Sequence, residues 1–155
     1  MLKIFQKLVY IINYLFSNTI NEKKFIKTFF KKSIVYLDVG ANMGSEFDFI
    51  SNINVKIKKA YLIEPSRKSF EYLKNKYNKK NIEILNIALS DKIMEKKFYE
   101  YNVESQSSFY NLKNKHDLFK VINSYKAKTQ TIDSLKIKKI DYLKIDAQSE
   151  DIQVL

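Results

Sequence analysis

Residues 34–44 read IVYLDVGANMG, a short apolar run that ends in a turn containing both glycines of the chain. An apolar run of this length is typical of a strand buried on both faces of a parallel sheet. Gly40 and Gly44 suit a tight turn into a helix, because a residue without a Cβ lets the backbone approach a ligand closely. The stretch therefore predicts a strand at residues 34–39, a ligand-binding turn and a helix that opens at residues 44–50.

The alternation of strand and helix continues along the chain. Further core strands are predicted at residues 60–63, 82–87 and 142–145, accessory strands at 97–101 and 129–132, and helices at 66–77 and after residue 145. Ser66 is placed to cap the helix predicted at residues 66–77. Alternation of this kind predicts an α/β fold with a parallel sheet and right-handed crossovers. We expect residues 34–155 to form one cofactor-binding domain.

Residues 1–33 form a separate basic segment that precedes this domain. The apolar residues of 2–16 recur at helical spacing and predict an amphipathic helix, and a short helix is predicted at about residues 21–31. Polar interruptions leave residues 2–16 too short to span a membrane. The apolar face of the first helix is expected to pack on the domain or to contact the inner face of an anionic membrane. The expected location is the cytoplasm.

The charge and the rare residues restrict the function. The chain of 155 residues has 28 basic and 17 acidic side chains and a formal net charge of +11. Arg67 is its only arginine, and arginine usually supplies the bidentate contacts to phosphates and bases, so a lysine-rich RNA-binding module is the weaker alternative. The chain has no cysteine and one histidine, His116. Disulfides and cysteine or histidine zinc sites are therefore excluded, and His116, which lies in a polar stretch, is expected to be exposed to solvent.

Glu64 is the second candidate functional position. It follows Gly40 by 24 residues and directly precedes the only proline, Pro65. Nucleotide-binding α/β units place a carboxylate at about this spacing to accept hydrogen bonds from ribose hydroxyls. The alternative is a surface carboxylate paired with Arg67 or Lys68. Because the glycine turn lacks the middle glycine of a pyrophosphate loop, the two positions indicate an adenosine ligand without pyrophosphate, such as S-adenosylmethionine.

Four blocks of sequence carry a family resemblance. They are LDVGANMG at 37–44, IEPS at 63–66, ALSD at 88–91 and DYLKIDAQ at 141–148, and SS at 107–108 and TIDSL at 131–135 accompany them. In order and separation these blocks resemble the FkbM-type S-adenosylmethionine-dependent methyltransferases, from about residue 34 to the end of the chain. The resemblance implies a Rossmann-like class I methyltransferase fold and S-adenosylmethionine as the cofactor.

The resemblance also implies roles for individual residues. Those implied to contact or support the cofactor are Asp38, Gly40, Ala41, Asn42, Gly44, Glu64, Ala88 and Leu89. The glycine turn would line the methionine and ribose side, Glu64 would bind the ribose, and Ala88 and Leu89, at the end of the third strand, would flank the adenine. Asp146 would face the reaction centre as the candidate catalytic residue, although it also suits a helix cap. No metal is implied.

The chain departs from the family pattern near its end. Ser149 stands where the family usually has glycine, and Asp151 where it has glutamate. A class I sheet resembles the order 3-2-1-4-5-7-6, and only the first four core strands are predicted here, so the parallel sheet is expected to be incomplete on its C-terminal side. The expected activity is O-methylation of a sugar, glycan or small metabolite, with a homodimer or a missing C-terminal half completing the fold. The alternative is a truncated, non-catalytic remnant that binds S-adenosylmethionine weakly or not at all.

Overall fold

A computed structural model describes residues 22–103, 106–111, 119–148 and 150–155. The helices are α1 (Glu22–Phe29), α2 (Ser45–Asn52), α3 (Arg67–Lys76) and α4 (Asp151–Val154). The strands are β1 (Ile34–Val39), β2 (Ile57–Ile63), β3 (Ile82–Leu85), β4 (Ala88–Leu89), β5 (Glu95–Tyr101), β6 (Val121–Gln130) and β7 (Tyr142–Ile145). The helix predicted at residues 2–16, His116 and Ser149 lie outside the described residues.

The main sheet confirms the predicted parallel α/β fold. Its four strands lie in the order β3-β2-β1-β7, and all neighbouring pairs are parallel. The predicted bounds of β1 and β7 are confirmed, whereas β2 begins earlier, at Ile57, because Ile57 pairs with Ile34 of β1. The third strand ends earlier, at Leu85, because Leu85 pairs with Ile63, the last residue of β2.

Apolar side chains pack against both faces of the main sheet. On one face, Tyr36, Ala60 and Leu62 pack with residues of α1, α2 and α3. α2 and α3 lie on the same face, as expected when the connections between neighbouring parallel strands are right-handed. On the other face, Leu37, Val39 and Ile63 pack with residues 132–140, β4 and α4. This two-sided burial explains why β1 appears in the sequence as a continuous apolar run.

The accessory strands form a second sheet in the order β4-β6-β5. β5 and β6 are antiparallel, and β6 occupies Val121–Gln130 rather than the predicted residues 129–132. The sequence hides this strand because half of its side chains are exposed, most of them polar, and only Ala127 and Thr129 are buried. Ala88 and Leu89 do not end the third strand as predicted, since they form β4, which pairs with Thr129 and Gln130 of β6.

The helices follow their predicted signals. α3 begins after Ser66, whose hydroxyl accepts a hydrogen bond from the Ser69 backbone N–H at 3.4 Å, as expected of an N-cap. α1 confirms the short helix predicted near residues 21–31. In the part of the chain that the structure describes, no helix combines the length and apolarity required to cross a bilayer.

Candidate functional site

A cleft lies at the carboxyl ends of β1, β2 and β7 and extends to the accessory sheet. It encloses about 620 Å³ of space, a figure that includes open solvent. Its lining residues are Val39, Gly40, Asn42, Ile63, Glu64, Pro65, Ala88, Leu89, Phe98, Ser107, Phe109, Asp146, Ala147, Gln148 and Glu150. The carboxyl edge of an open α/β sheet is where such folds bind ligands.

Gly40 forms the floor of the cleft. The backbone N–H groups of Gly40 and Ala41 both donate to the Ile63 carbonyl, each at 3.0 Å. These two hydrogen bonds attach the glycine turn to the end of β2. Gly40 has φ +75, and a Cβ at this position would overlap the backbone carbonyl of Asp146. Both the left-handed backbone and the close approach of β7 therefore require glycine here.

Gly44 lies away from the cleft and serves helix packing. It precedes α2 with φ +79, and an added Cβ would meet the Tyr77 hydroxyl and the Leu73 side chain. The Tyr77 hydroxyl lies 2.9 Å from the Gly44 carbonyl and 2.7 Å from Oδ1 of Asp48, and burial raises the pKa of Tyr77 to about 12. Gly44 thus allows α2 and α3 to pack closely behind the turn.

Glu64 is buried at the end of β2 and lines the cleft. Its Oε2 accepts a hydrogen bond from the Asn42 backbone N–H at 2.7 Å, and its Oε1 accepts one from the Ser66 backbone N–H at 2.8 Å. Burial raises the pKa of Glu64 to about 7, although these two hydrogen bonds oppose the increase. The carboxylate is therefore rigidly oriented, and each oxygen keeps a lone pair for a further donor.

Two other residues that were predicted to contact or support the cofactor, Asp38 and Ala41, are buried next to the cleft. Asp38 is fully buried; Oδ2 accepts from the Tyr36 hydroxyl at 3.1 Å, and Oδ1 lies 3.2 Å from the Lys144 ammonium. Burial raises the pKa of Asp38, and Lys144 and Tyr36 oppose that increase. Ala41 belongs to the core that packs against α2. Neither Asp38 nor Ala41 is among the residues that line the cleft.

β4 and the accessory sheet form the apolar wall of the cleft. Ala88 and Leu89 line it as predicted residues, and Phe98 and Phe109 line it as residues that the sequence did not single out. The two phenylalanine rings lie 5.3 Å apart at 75°, an edge-to-face arrangement favoured by aromatic pairs. Ser107 also lines this wall. The wall depends on pairing between β4, β5 and β6.

Asp146 lies at the mouth of the cleft, directly after β7. Its backbone N–H donates to the Val39 carbonyl at 2.9 Å, and its side chain, which is 58% exposed, accepts from Gln148 at 3.1 Å. The next turn is closed by Asp151, whose Oδ1 accepts from the Ala147 N–H at 2.6 Å. Aspartate stands at position 151 where the family usually has glutamate, and its carboxylate stabilises the backbone of this turn.

Glu150 is a cleft residue that the sequence did not indicate. It is 1% exposed, and its two oxygens accept hydrogen bonds from the Ser90 hydroxyl at 2.8 Å and the Lys96 ammonium at 2.7 Å. The three residues come from different segments of the chain, so no local pattern signals their contact. Together they join the residue before α4 to the accessory sheet at the back of the cleft.

The Glu150–Lys96 pair gives a testable stability prediction. Replacing Lys96 with methionine is expected to lower the free energy of unfolding by about 2 kcal/mol or more, because a buried carboxylate would lose its cationic partner. The matched control is Lys126→Met, which removes an exposed pair with Glu95 at 3.8 Å on the same sheet and should cost less than about 1 kcal/mol. Urea unfolding followed by circular dichroism measures both. Equal losses would contradict the prediction.

The sequence around this cleft matches the model of a known protein family. The Methyltransferase FkbM domain matches residues 38–155, a range that includes the glycine turn, Glu64 and Asp146. The chain belongs to the FkbM methyltransferase family. Among the described residues of this family member, no group of three or more histidine, cysteine, aspartate or glutamate side chains could hold a metal ion.

A solved structure shares the FkbM fold. The chain is similar to Methyltransferase FkbM from Methylobacillus flagellatus KT with a TM-score of 0.54 and 15% sequence identity, over 79% of this chain and 28% of that chain. At this identity the likeness concerns the fold, which is the Rossmann-like fold expected from the sequence. The chain thus spans just over a quarter of the length of that protein. No curated protein matches the sequence significantly.

Proposed function

We propose that this FkbM family member transfers a methyl group from S-adenosylmethionine to an oxygen of a sugar, glycan or small metabolite. The observation that carries the proposal is the buried Glu64 carboxylate, fixed by two backbone N–H groups at the end of β2, beside the close-packed Gly40. A carboxylate at this point of an α/β sheet accepts hydrogen bonds from ribose hydroxyls.

The residues present fit this cofactor. Gly40 lines the cleft with backbone that carries no side chain, and Glu64 has lone pairs left to accept from two hydroxyl groups. Ala88 and Leu89, with the neighbouring phenylalanine wall, offer the apolar surface that an adenine ring requires. When bound, S-adenosylmethionine supplies an electrophilic methyl group on a positively charged sulfur. The chain contributes by orienting the two reactants, since positioning is the main source of catalysis in such transfers.

Asp146 is the residue proposed to contact the methyl acceptor. It lines the cleft with an exposed carboxylate that can accept a hydrogen bond from the acceptor hydroxyl. Such a contact would orient the oxygen and take up its proton as the new bond forms. The acceptor class comes from the family resemblance. We also propose that a second copy of the chain, or further chain, completes the acceptor pocket. Residues 2–16 are proposed to contact a membrane surface.

Calorimetric titration with S-adenosylmethionine tests the cofactor. We expect saturable binding to the chain as it exists, and methyl transfer from labelled S-adenosylmethionine to sugar or glycan acceptors if the acceptor pocket is complete. Binding without methyl transfer would favour the alternative function, that of a truncated, non-catalytic remnant. An absence of binding, in a chain shown by circular dichroism to be folded, would refute the proposed function.

The raised pKa of Glu64 predicts how cofactor affinity depends on pH. Ribose hydroxyls donate to the ionised carboxylate, so protonated Glu64 must lose its proton before the cofactor binds. Because the free protein has a Glu64 pKa of about 7, affinity should be constant above that pH and fall about tenfold for each pH unit below it. Titrations from about pH 5 to about pH 9 measure the profile. A Glu64→Gln variant should bind weakly with no such inflection, and a flat profile in the parent protein would contradict the prediction.

A further inference from the structure

Lys144 connects three parts of the site through one ammonium group. Its Nζ donates to the Gly40 carbonyl at 3.0 Å, lies 3.2 Å from Oδ1 of Asp38 and 3.9 Å from Oδ2 of Asp146. The Lys144 side chain is 21% exposed and is not among the residues that line the cleft. It therefore affects the cleft through Gly40 and Asp146, which do line it.

The sheet register places Lys144 at this point. Asp38 and Lys144 are partners in the pairing of β1 with β7, so their side chains project from the same face. On that face, Tyr36 and Tyr142 pack into the core two residues earlier on each strand. Lys144 is thus the last inward position of β7, where the strand reaches the glycine turn. The aliphatic part of a lysine suits this partly buried path, and its ammonium reaches the polar end.

The glycine turn is held from two sides. The Ile63 carbonyl at the end of β2 accepts from the N–H groups of Gly40 and Ala41, and Lys144 holds the Gly40 carbonyl from β7. We propose that Lys144 is a positioning residue of the cofactor site, whose ammonium fixes the glycine turn relative to Asp38 and Asp146. This inference rests on the proposed function, but it concerns the geometry of the free protein as well.

The same contact affects Glu64 through charge. Lys144 lowers the pKa of Glu64 and Asp38 raises it, and the other carboxylates that line the cleft are Asp146 and Glu150. Removing Lys144 should therefore move the inflection of cofactor affinity to higher pH, and removing the Asp38 charge should move it to lower pH. Removing both charges should leave the inflection close to that of the parent.

Amide hydrogen exchange in the free protein tests the positioning role without any ligand. We compare Lys144→Met with the double variant Asp38→Asn/Lys144→Met, which removes the buried charge pair as a unit and so keeps a folded chain. In both, exchange of the N–H groups of the glycine turn should be roughly tenfold faster, because the turn is held from one side only. Lys139→Met, which removes an exposed ammonium from the partly buried Asp141 carboxylate, should leave that exchange unchanged. Unchanged exchange of the turn in the double variant would overturn the proposal.

Cofactor titration across pH supplies the second readout. Both variants that lack Lys144 should bind S-adenosylmethionine about tenfold more weakly, and the inflection should move only in the single Lys144→Met variant. Lys144→Arg, which keeps the charge, should restore most of the affinity. Reduced stability with unchanged affinity and inflection would show a merely structural ion pair and refute the proposal. If the parent protein binds no cofactor, the proposed function fails, and the exchange experiment still decides the role of Lys144.

Discussion

A Gly40→Ala variant is expected to lose S-adenosylmethionine binding by roughly 100-fold or more, the scale of effect that a displacement of about 1 Å has on a positioned site. The new Cβ would overlap the Asp146 carbonyl, which is backbone and cannot rotate away. The ends of β1 and β7 must then separate, and Asp146 and Glu64 no longer share one cleft. The left-handed backbone at Gly40 adds a cost of about 1–2 kcal/mol for any other residue.

Gly44→Ala is the matched control for this prediction. Gly44 has nearly the same φ as Gly40, so alanine carries the same backbone cost at both positions. Its Cβ would meet side-chain atoms of Tyr77 and Leu73 instead of backbone, and Gly44 does not line the cleft. We expect Gly44→Ala to lose stability with a much smaller change in affinity, measured by calorimetry and urea unfolding. Equal losses of affinity in the two variants would contradict the assignment of Gly40 to the cofactor site.

Replacing Glu64 with alanine is expected to have an effect of similar size on affinity. The carboxylate would supply two hydrogen bonds to the ribose, each worth about 1.5–3 kcal/mol when the acceptor is charged, so the loss should be about 100-fold or more. The change also leaves the N–H groups of Asn42 and Ser66 without their acceptor, which loosens the turn that carries Gly40. Calorimetric titration above about pH 8, where Glu64 is ionised, measures the full effect.

Glu100→Ala is the control that separates cofactor binding by Glu64 from general support of the residues around Glu64. Oε1 of Glu100 accepts a hydrogen bond from the Ser66 hydroxyl at 3.0 Å, yet Glu100 does not line the cleft. We expect Glu100→Ala to reduce affinity less than about tenfold, since the three hydrogen bonds that its carboxylate accepts come from Ser66, Asn123 and Tyr125, none of which lines the cleft. If Glu64→Ala lowers the free energy of unfolding but leaves affinity unchanged, the carboxylate serves the fold alone.

The sequence predicted the features that depend on neighbouring residues. The bounds of β1 and β7, the Ser66 cap of α3 and the position of Glu64 at the end of β2 all follow from local periodicity and from single residues with strong backbone preferences. β6 was largely missed, because an exposed strand shows little apolar alternation. Ala88 and Leu89 were assigned to the third strand, since nothing local distinguishes a continued strand from a two-residue strand that joins another sheet.

By itself, the sequence determined the parallel α/β fold, the glycine turn and the carboxylate that follows the second strand, because strand burial, turn geometry and spacing are encoded within short segments. Only the tertiary structure decided that Gly40 is pressed against Asp146 whereas Gly44 serves helix packing, and that Glu150 is buried with Lys96 and Ser90. It also decided that the Lys144 ammonium contacts the Gly40 carbonyl of the glycine turn. These contacts join residues far apart in the chain, and their existence depends on sheet register and strand order, which no local pattern specifies.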